Sequence, residues 1–179
     1  MAEAFKVPPD LAELHRELGI PADYAASRGL LFHPDATAED LVVVTTKPDG
    51  TPVRLISPAA TAWRAMQSAA QDAGLGLCAL SGHRSIVRQA ELIRRKLVAG
   101  QRIGDILTIM AAPGYSEHHT GRALDIATPE DQELEARFAK TPAYAWLQGN
   151  APRFGFRLSF PPNNPAGFTY EPWHWFWVG

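Results

Sequence analysis

Ser116-Glu117-His118-His119-Thr120-Gly121-Arg122-Ala123-Leu124-Asp125-Ile126-Ala127 runs from a polar loop, across a glycine, into a segment that is apolar apart from Asp125. A short apolar run of this kind reads as a strand. Its aspartate then needs a partner wherever it is buried. His118 and Asp125 lie seven positions apart and straddle Gly121, so a turn at the glycine would return the loop histidine to the side of the strand aspartate. His119 is the rival donor in the same loop.

Upstream, Leu75 to Leu80 reads as a buried strand and Ser85 as the cap of a helix whose stripe is Ile86, Ala90, Ile93 and Leu97, ending at Gly100. Ser81 to Arg84 then sits at a strand-to-helix junction. A shorter helix is expected from Ile103 to Met110. Earlier, Leu41 to Thr46 and Thr51 to Ile56 flank Lys47-Pro48-Asp49-Gly50 as a β-hairpin. Ser57-Pro58 opens a helix with Trp63, Met66, Ala70 and Ala73 on one face, stopped by Gly74. Downstream, Thr128-Pro129 and Thr141-Pro142 each suggest a capped helix, and Phe156 to Phe160 and Trp173 to Val178 suggest strands. Asp10 can cap a helix over Leu11 to Leu18, with another turn or two from Pro21 to Arg28. The expectation is one α+β domain over residues 1–179, a small, largely antiparallel sheet flanked by helices. Residues 1–40 form a packed helical flap and 41–179 the core.

Composition bounds the partners. The 179 residues are 46% hydrophobic and 20% charged, enough for a buried core without staples. A net charge of -2 offers no general attraction to nucleic acid. The single cysteine, Cys78, excludes an intrachain disulfide and a thiolate-rich metal site, and its apolar neighbours suggest a core position over a catalytic thiol. The N-terminus lacks the apolar region of a leader and no run reaches membrane-spanning length. A cytoplasmic location is expected as written, or a periplasmic or secreted one if a leader precedes the chain.

A second segment, Glu171-Pro172-Trp173-His174-Trp175, supplies the other half of a possible site. Strand alternation sends the tryptophans flanking His174 to the opposite face. A buried imidazole there needs a partner, either a carbonyl or a metal. His118, Asp125 and His174 together suit a catalytic zinc ion, which takes three protein ligands and leaves a fourth position for water. Glu171 is three residues before His174, so it shares that side only if Pro172 bends the chain. It is then free to act as a base.

Three blocks are specific enough to name a family. Ser81-Gly82-His83-Arg84-Ser85 with Gln89, Pro113 through Asp125, and Glu171 to Trp175 resemble the signature blocks of the VanY-like D-alanyl-D-alanine carboxypeptidases, zinc peptidases of bacterial cell-wall peptides. The resemblance spans roughly residues 75 to 179 and departs from the usual pattern at His83, where tyrosine is expected, and at Arg122, where an apolar residue is common. It implies a Zn2+ site at the sheet made by His118, Asp125 and His174, with Glu171 as catalytic base. It further implies that Arg84 polarises the scissile carbonyl and that Gln89 and Ser116 hold the terminal carboxylate of a peptidoglycan-derived peptide. The expected activity is removal of a terminal D-alanine, with D,D- and L,D-specificity both open. An endopeptidase of the same fold and a non-catalytic wall-peptide-binding module are the alternatives. The second has no need of a base.

Overall fold

The computed structural model describes residues 9–179, so the first eight residues of the expected flap lie outside it. The elements in chain order are α1 (Pro9–Glu17), α2 (Tyr24–Ser27), β1 (Leu41–Thr46), β2 (Pro52–Ile56), α3 (Ser57–Asp72), β3 (Cys78–Ser81), α4 (Ile86–Val98), α5 (Ile103–Ile109), β4 (Ala123–Ala127), α6 (Pro142–Asn150), β5 (Phe156–Leu158) and β6 (His174–Trp177). β1 and β2 form an antiparallel hairpin. The main sheet has the order β3-β4-β6-β5, with every neighbouring pair antiparallel. The α+β class expected from the sequence is the architecture observed.

β4 is buried along its whole length, and its two faces do different work. Leu124 and Ile126 point into an apolar core with Trp175 of β6, Trp63, Met66 and Ala70 of α3, and Leu147 of α6. Met66 and Leu124 have no exposure, and burial of this kind contributes about 1.5–3 kcal/mol per side chain. Alternation sends Asp125 to the other face. A second core joins Leu18, Ile20 and Tyr24 to Ala90 and Ile93 of α4 and to Ile106 and Leu107 of α5. α4 begins where expected, with Ser85 Oγ accepting from Arg88 N at 3.1 Å.

Arg28, just past α2, ties two distant segments together. Its Nη1 donates to the Leu107 carbonyl at 2.6 Å, while Nε and Nη2 donate to the carbonyls of Ala166 and Gly167 at 2.7 and 2.8 Å. The guanidinium also lies 4.3 Å from the ring centre of Phe168.

Three local expectations are corrected. The strand expected from Leu75 begins only at Cys78, because Leu75 N donates to the Ala70 carbonyl to close α3 and Gln67 Nε2 donates to the Leu77 carbonyl. No helix follows Thr128-Pro129. Asp131 pairs back onto Thr128 as an isolated bridge, and Arg137 gathers the carboxylates of Asp131, Glu133 and Glu135. Cys78 is half-buried on an edge strand, not a core residue, and burial raises its thiol pKa, which does not suit a nucleophile. Among the described residues no helix is long and apolar enough to cross a membrane.

Candidate metal centre and catalytic cleft

Register brings the strand donors together. Asp125 of β4 stands directly opposite His174 of β6, and residues opposed across antiparallel strands project to the same face. His118 arrives from the Glu117–Thr120 turn, which ends at Gly121 with φ 64°. That left-handed conformation admits glycine readily, and a Cβ there would lie 2.9 Å from Leu41 Cδ2. Gly121 also accepts a hydrogen bond from Ile56 N at 2.9 Å, which anchors the turn on the hairpin. Pro172 and Trp173 form a second turn, closed by His174 N donating to the Glu171 carbonyl at 3.1 Å. Glu171 and His174 consequently line one cavity despite their odd spacing.

Each imidazole is held by one nitrogen and offers the other. His118 Nδ1 donates to the Gly82 carbonyl at 2.7 Å, leaving Nε2 at 3.3 Å from Asp125 Oδ2. His174 Nε2 donates to Glu117 Oε2 at 2.9 Å, leaving Nδ1 at 3.0 Å from Asp125 Oδ1. The candidate ligand atoms of His118, Asp125 and His174 lie within 4.8 Å of one another, all buried. Carbonyl and carboxylate anchors on the far nitrogens are the usual supports of metal-binding histidines. Burial disfavours the carboxylate of Asp125, yet His118 and His174 keep it ionised far below the usual range. Burial also opposes charge on His174, but its bonds to Asp125 and Glu117 prevail and push it up to about 10. Two oriented imidazoles and an ionised carboxylate that converge in one buried pocket fit a metal cation.

His119 is not a rival ligand. It has no exposure, its Nδ1 donates to the Arg84 carbonyl at 2.6 Å, and its Nε2 accepts from Gly114 N at 3.0 Å. It pins together the loops that carry Arg84 and His118.

The donor cluster opens onto a cavity of about 190 Å³ whose walls include Arg84, Ser116 and Glu171, with Ile109, Leu134, Phe160, Phe168 and Trp173 as an apolar rim. Burial raises Glu171 to about 7, with Asp125 and Glu117 adding to that effect and His174 and Arg84 opposing it. Among the described residues, Arg84 Nε is buried with no hydrogen-bond partner. A buried cationic donor left unpaired at a cavity wall is suited to an anionic ligand group. Gln89 lies behind the wall. It is fully buried, its Nε2 donates to the carbonyl of Ala111, which does line the cavity, and its Oε1 has no partner.

Glu117 is the site residue that sequence reasoning passed over. Besides His174 it accepts from Ser159 Oγ at 2.5 Å and Arg157 Nη2 at 2.9 Å. These partners lie 40 to 57 positions away, and the only local hint was a carboxylate next to a histidine.

A family model, described as D-alanyl-D-alanine carboxypeptidase VanY, matches residues 53–179. The chain belongs to this family. All three blocks that make the cleft lie inside the matched region. Among curated relatives, YodJ of Bacillus subtilis (strain 168) is 38% identical over 125 residues, covering 68% of this chain and 45% of that protein. The chain thus spans less than half the length of that relative. Among solved structures, the LdcB LD-carboxypeptidase superposes with a TM-score of 0.70 at 33% identity, over 80% of this chain and 70% of the other. A variant of the vancomycin resistance D,D-pentapeptidase VanY, in complex with Zn(II), does so with a TM-score of 0.61 at 26% identity, over 86% and 88%.

Proposed function

We propose that this member of the VanY family is a zinc-dependent carboxypeptidase that removes a terminal D-alanine from peptidoglycan stem peptides or muropeptides. The observation that carries the reading is the opening of one buried donor cluster, His118, Asp125 and His174, onto a small cavity walled by Glu171 and Arg84. Zinc held by those three side chains would supply Lewis acidity, acidifying water and drawing charge from a carbonyl.

Glu171 accepts a proton from the attacking water on its carboxylate and returns it to the leaving amine as the C–N bond breaks. A proton affinity near neutrality suits both transfers. Arg84 presents its guanidinium to the oxyanion that develops as water adds to the carbonyl carbon. Ser116, buried at the same wall, offers its hydroxyl to the terminal carboxylate. Gln89 supports that wall through Ala111. A cavity of about 190 Å³ suits the end of a chain with a small last residue.

Purified protein loaded with zinc is incubated with stem peptides ending in D-alanine, free or amidated at the C-terminus, and the released masses are read. Cleavage confined to the free acid supports the exopeptidase. Equal cleavage of both would transfer the assignment to an endopeptidase, and no cleavage of any peptide to a binding module.

A further inference from the structure

The segment before β1 lies outside the region that matches the family model, yet it packs against loops that carry the cleft. Residues 30–37 run without regular structure across the back of the two loops that carry Arg84 and His118. Two backbone bonds fix their path, His33 N to the Gly114 carbonyl and Ala36 N to the His119 carbonyl, both at 2.8 Å. Between them Asp35 projects its carboxylate onto the first turn of α4. Its two oxygens accept from Ile86 N at 3.0 and 3.1 Å. The same carboxylate lies 3.7 Å from His83 Nε2 and 3.8 Å from His119 Nδ1.

These contacts enclose Arg84. Its carbonyl accepts from His119 Nδ1, its amide donates to the His118 carbonyl at 3.2 Å, and the amide two residues later is the one Asp35 holds. The residue before it, His83, has its amide on the Arg54 carbonyl at 2.7 Å and its ring facing Asp35. The backbone that aims the guanidinium at the cavity is therefore held on one side by the hairpin and the His118–His119 turn and on the other by Asp35.

We propose that Asp35 is a positioning residue for Arg84, so that the N-terminal segment is a working part of the catalytic cleft. This rests on the carboxypeptidase reading only for its kinetic consequence, because the placement of the Arg84 backbone can be observed without turnover. Removing the carboxylate frees the Ile86 amide and loosens the Arg84–Ile86 turn, while His174 keeps its own anchor on Glu117.

The test compares the zinc-loaded wild type with Asp35→Ala, Asp35→Asn, Arg84→Lys and the double variant Asp35→Ala/Arg84→Lys. Amide hydrogen exchange is read residue by residue and kcat and KM are measured on a D-alanine-terminated peptide. Asp35→Ala should speed exchange at Arg84 and Ile86 at least about tenfold while leaving α3 unchanged. It should lower kcat about 10- to 100-fold with little change in KM, the scale of a misplaced catalytic group. Asn retains an acceptor for Ile86 N and should restore most of both. In the Arg84→Lys background the Ala substitution should cost little more, because its effect passes through Arg84. Unchanged exchange at Arg84 and Ile86 overturns the proposal, as does acceleration throughout the protein, which would mark a purely structural role. Full additivity of the two substitutions in kcat also overturns it. If no peptide is cleaved, the carboxypeptidase reading fails while the exchange pattern still decides the positioning.

Discussion

Acidification should weaken this fold through His119 in particular. The ring is fully buried, donating from Nδ1 to the Arg84 carbonyl and accepting at Nε2 from Gly114 N. Only the neutral imidazole can do both, since a proton on Nε2 would face the Gly114 N–H. Burial lowers its pKa from 6.5 to about 4, against the opposing pull of the Arg84 carbonyl and Asp35. The unfolded chain thus binds this proton near pH 6.5 and the folded one only near pH 4. The contribution is complete above the higher value and disappears as pH falls through the interval, because protons favour the unfolded state there. At about 1.4 kcal/mol per unit, the gap is worth about 3 kcal/mol. Urea unfolding of chelator-treated protein at about pH 7.5 and about pH 4.5 measures it, with His119→Gln as the control. A glutamine amide can offer one donor and one acceptor to the same two backbone groups, without a proton to gain. The wild type should lose about 2 to 3 kcal/mol more than the variant between the two conditions, because about pH 4.5 stops short of the folded value. Equal losses would refute the assignment of this proton to His119.

Other outcomes follow from the same geometry. Glu171→Ala should keep its metal content, measured by elemental analysis, and lose turnover by more than about 100-fold. A wild-type rate would mean that another group handles the proton. Glu117→Ala should weaken zinc binding about 10- to 100-fold in a chelator competition, because His174 loses the acceptor that orients it. An unchanged dissociation constant would show that Asp125 alone aligns the ring. Gly121→Ala should lower the unfolding free energy by more than about 1 kcal/mol, since it combines a left-handed φ with a close approach to Leu41. Denaturant titration checks that, and an unaltered midpoint would contradict it.

The elements that local rules describe best are those whose signals do not depend on distant partners. Ser85 before an apolar stripe specified the start of α4, and Thr141-Pro142 specified α6, because a cap and a proline act on the turn beside them. Thr128-Pro129 carries the same local signal and makes no helix. There Arg137 collects three carboxylates and Asp131 folds back onto Thr128. Leu75 to Leu77 look as apolar as a strand, but their backbone groups are occupied by the end of α3.

The candidate metal donors His118, Asp125 and His174 could be picked out because few side chains can hold zinc and because the blocks that carry them resemble a known family, whereas His119, of the same chemistry, stayed a rival. Gly121 likewise announced its turn, since a left-handed residue is most readily a glycine. Whether those donors meet was decided only by the sheet, in which antiparallel register sets Asp125 opposite His174 across 49 positions of chain. The tertiary structure alone also decided that Glu117 supports His174, that His119 binds two backbone groups in place of a metal, and that Asp35 caps the helix behind Arg84. Each of these is a contact between residues that are far apart in the chain or whose neighbours give no sign of it. A one-dimensional pattern records local preference, whereas which polar group answers a buried one is settled when the strands and loops pack.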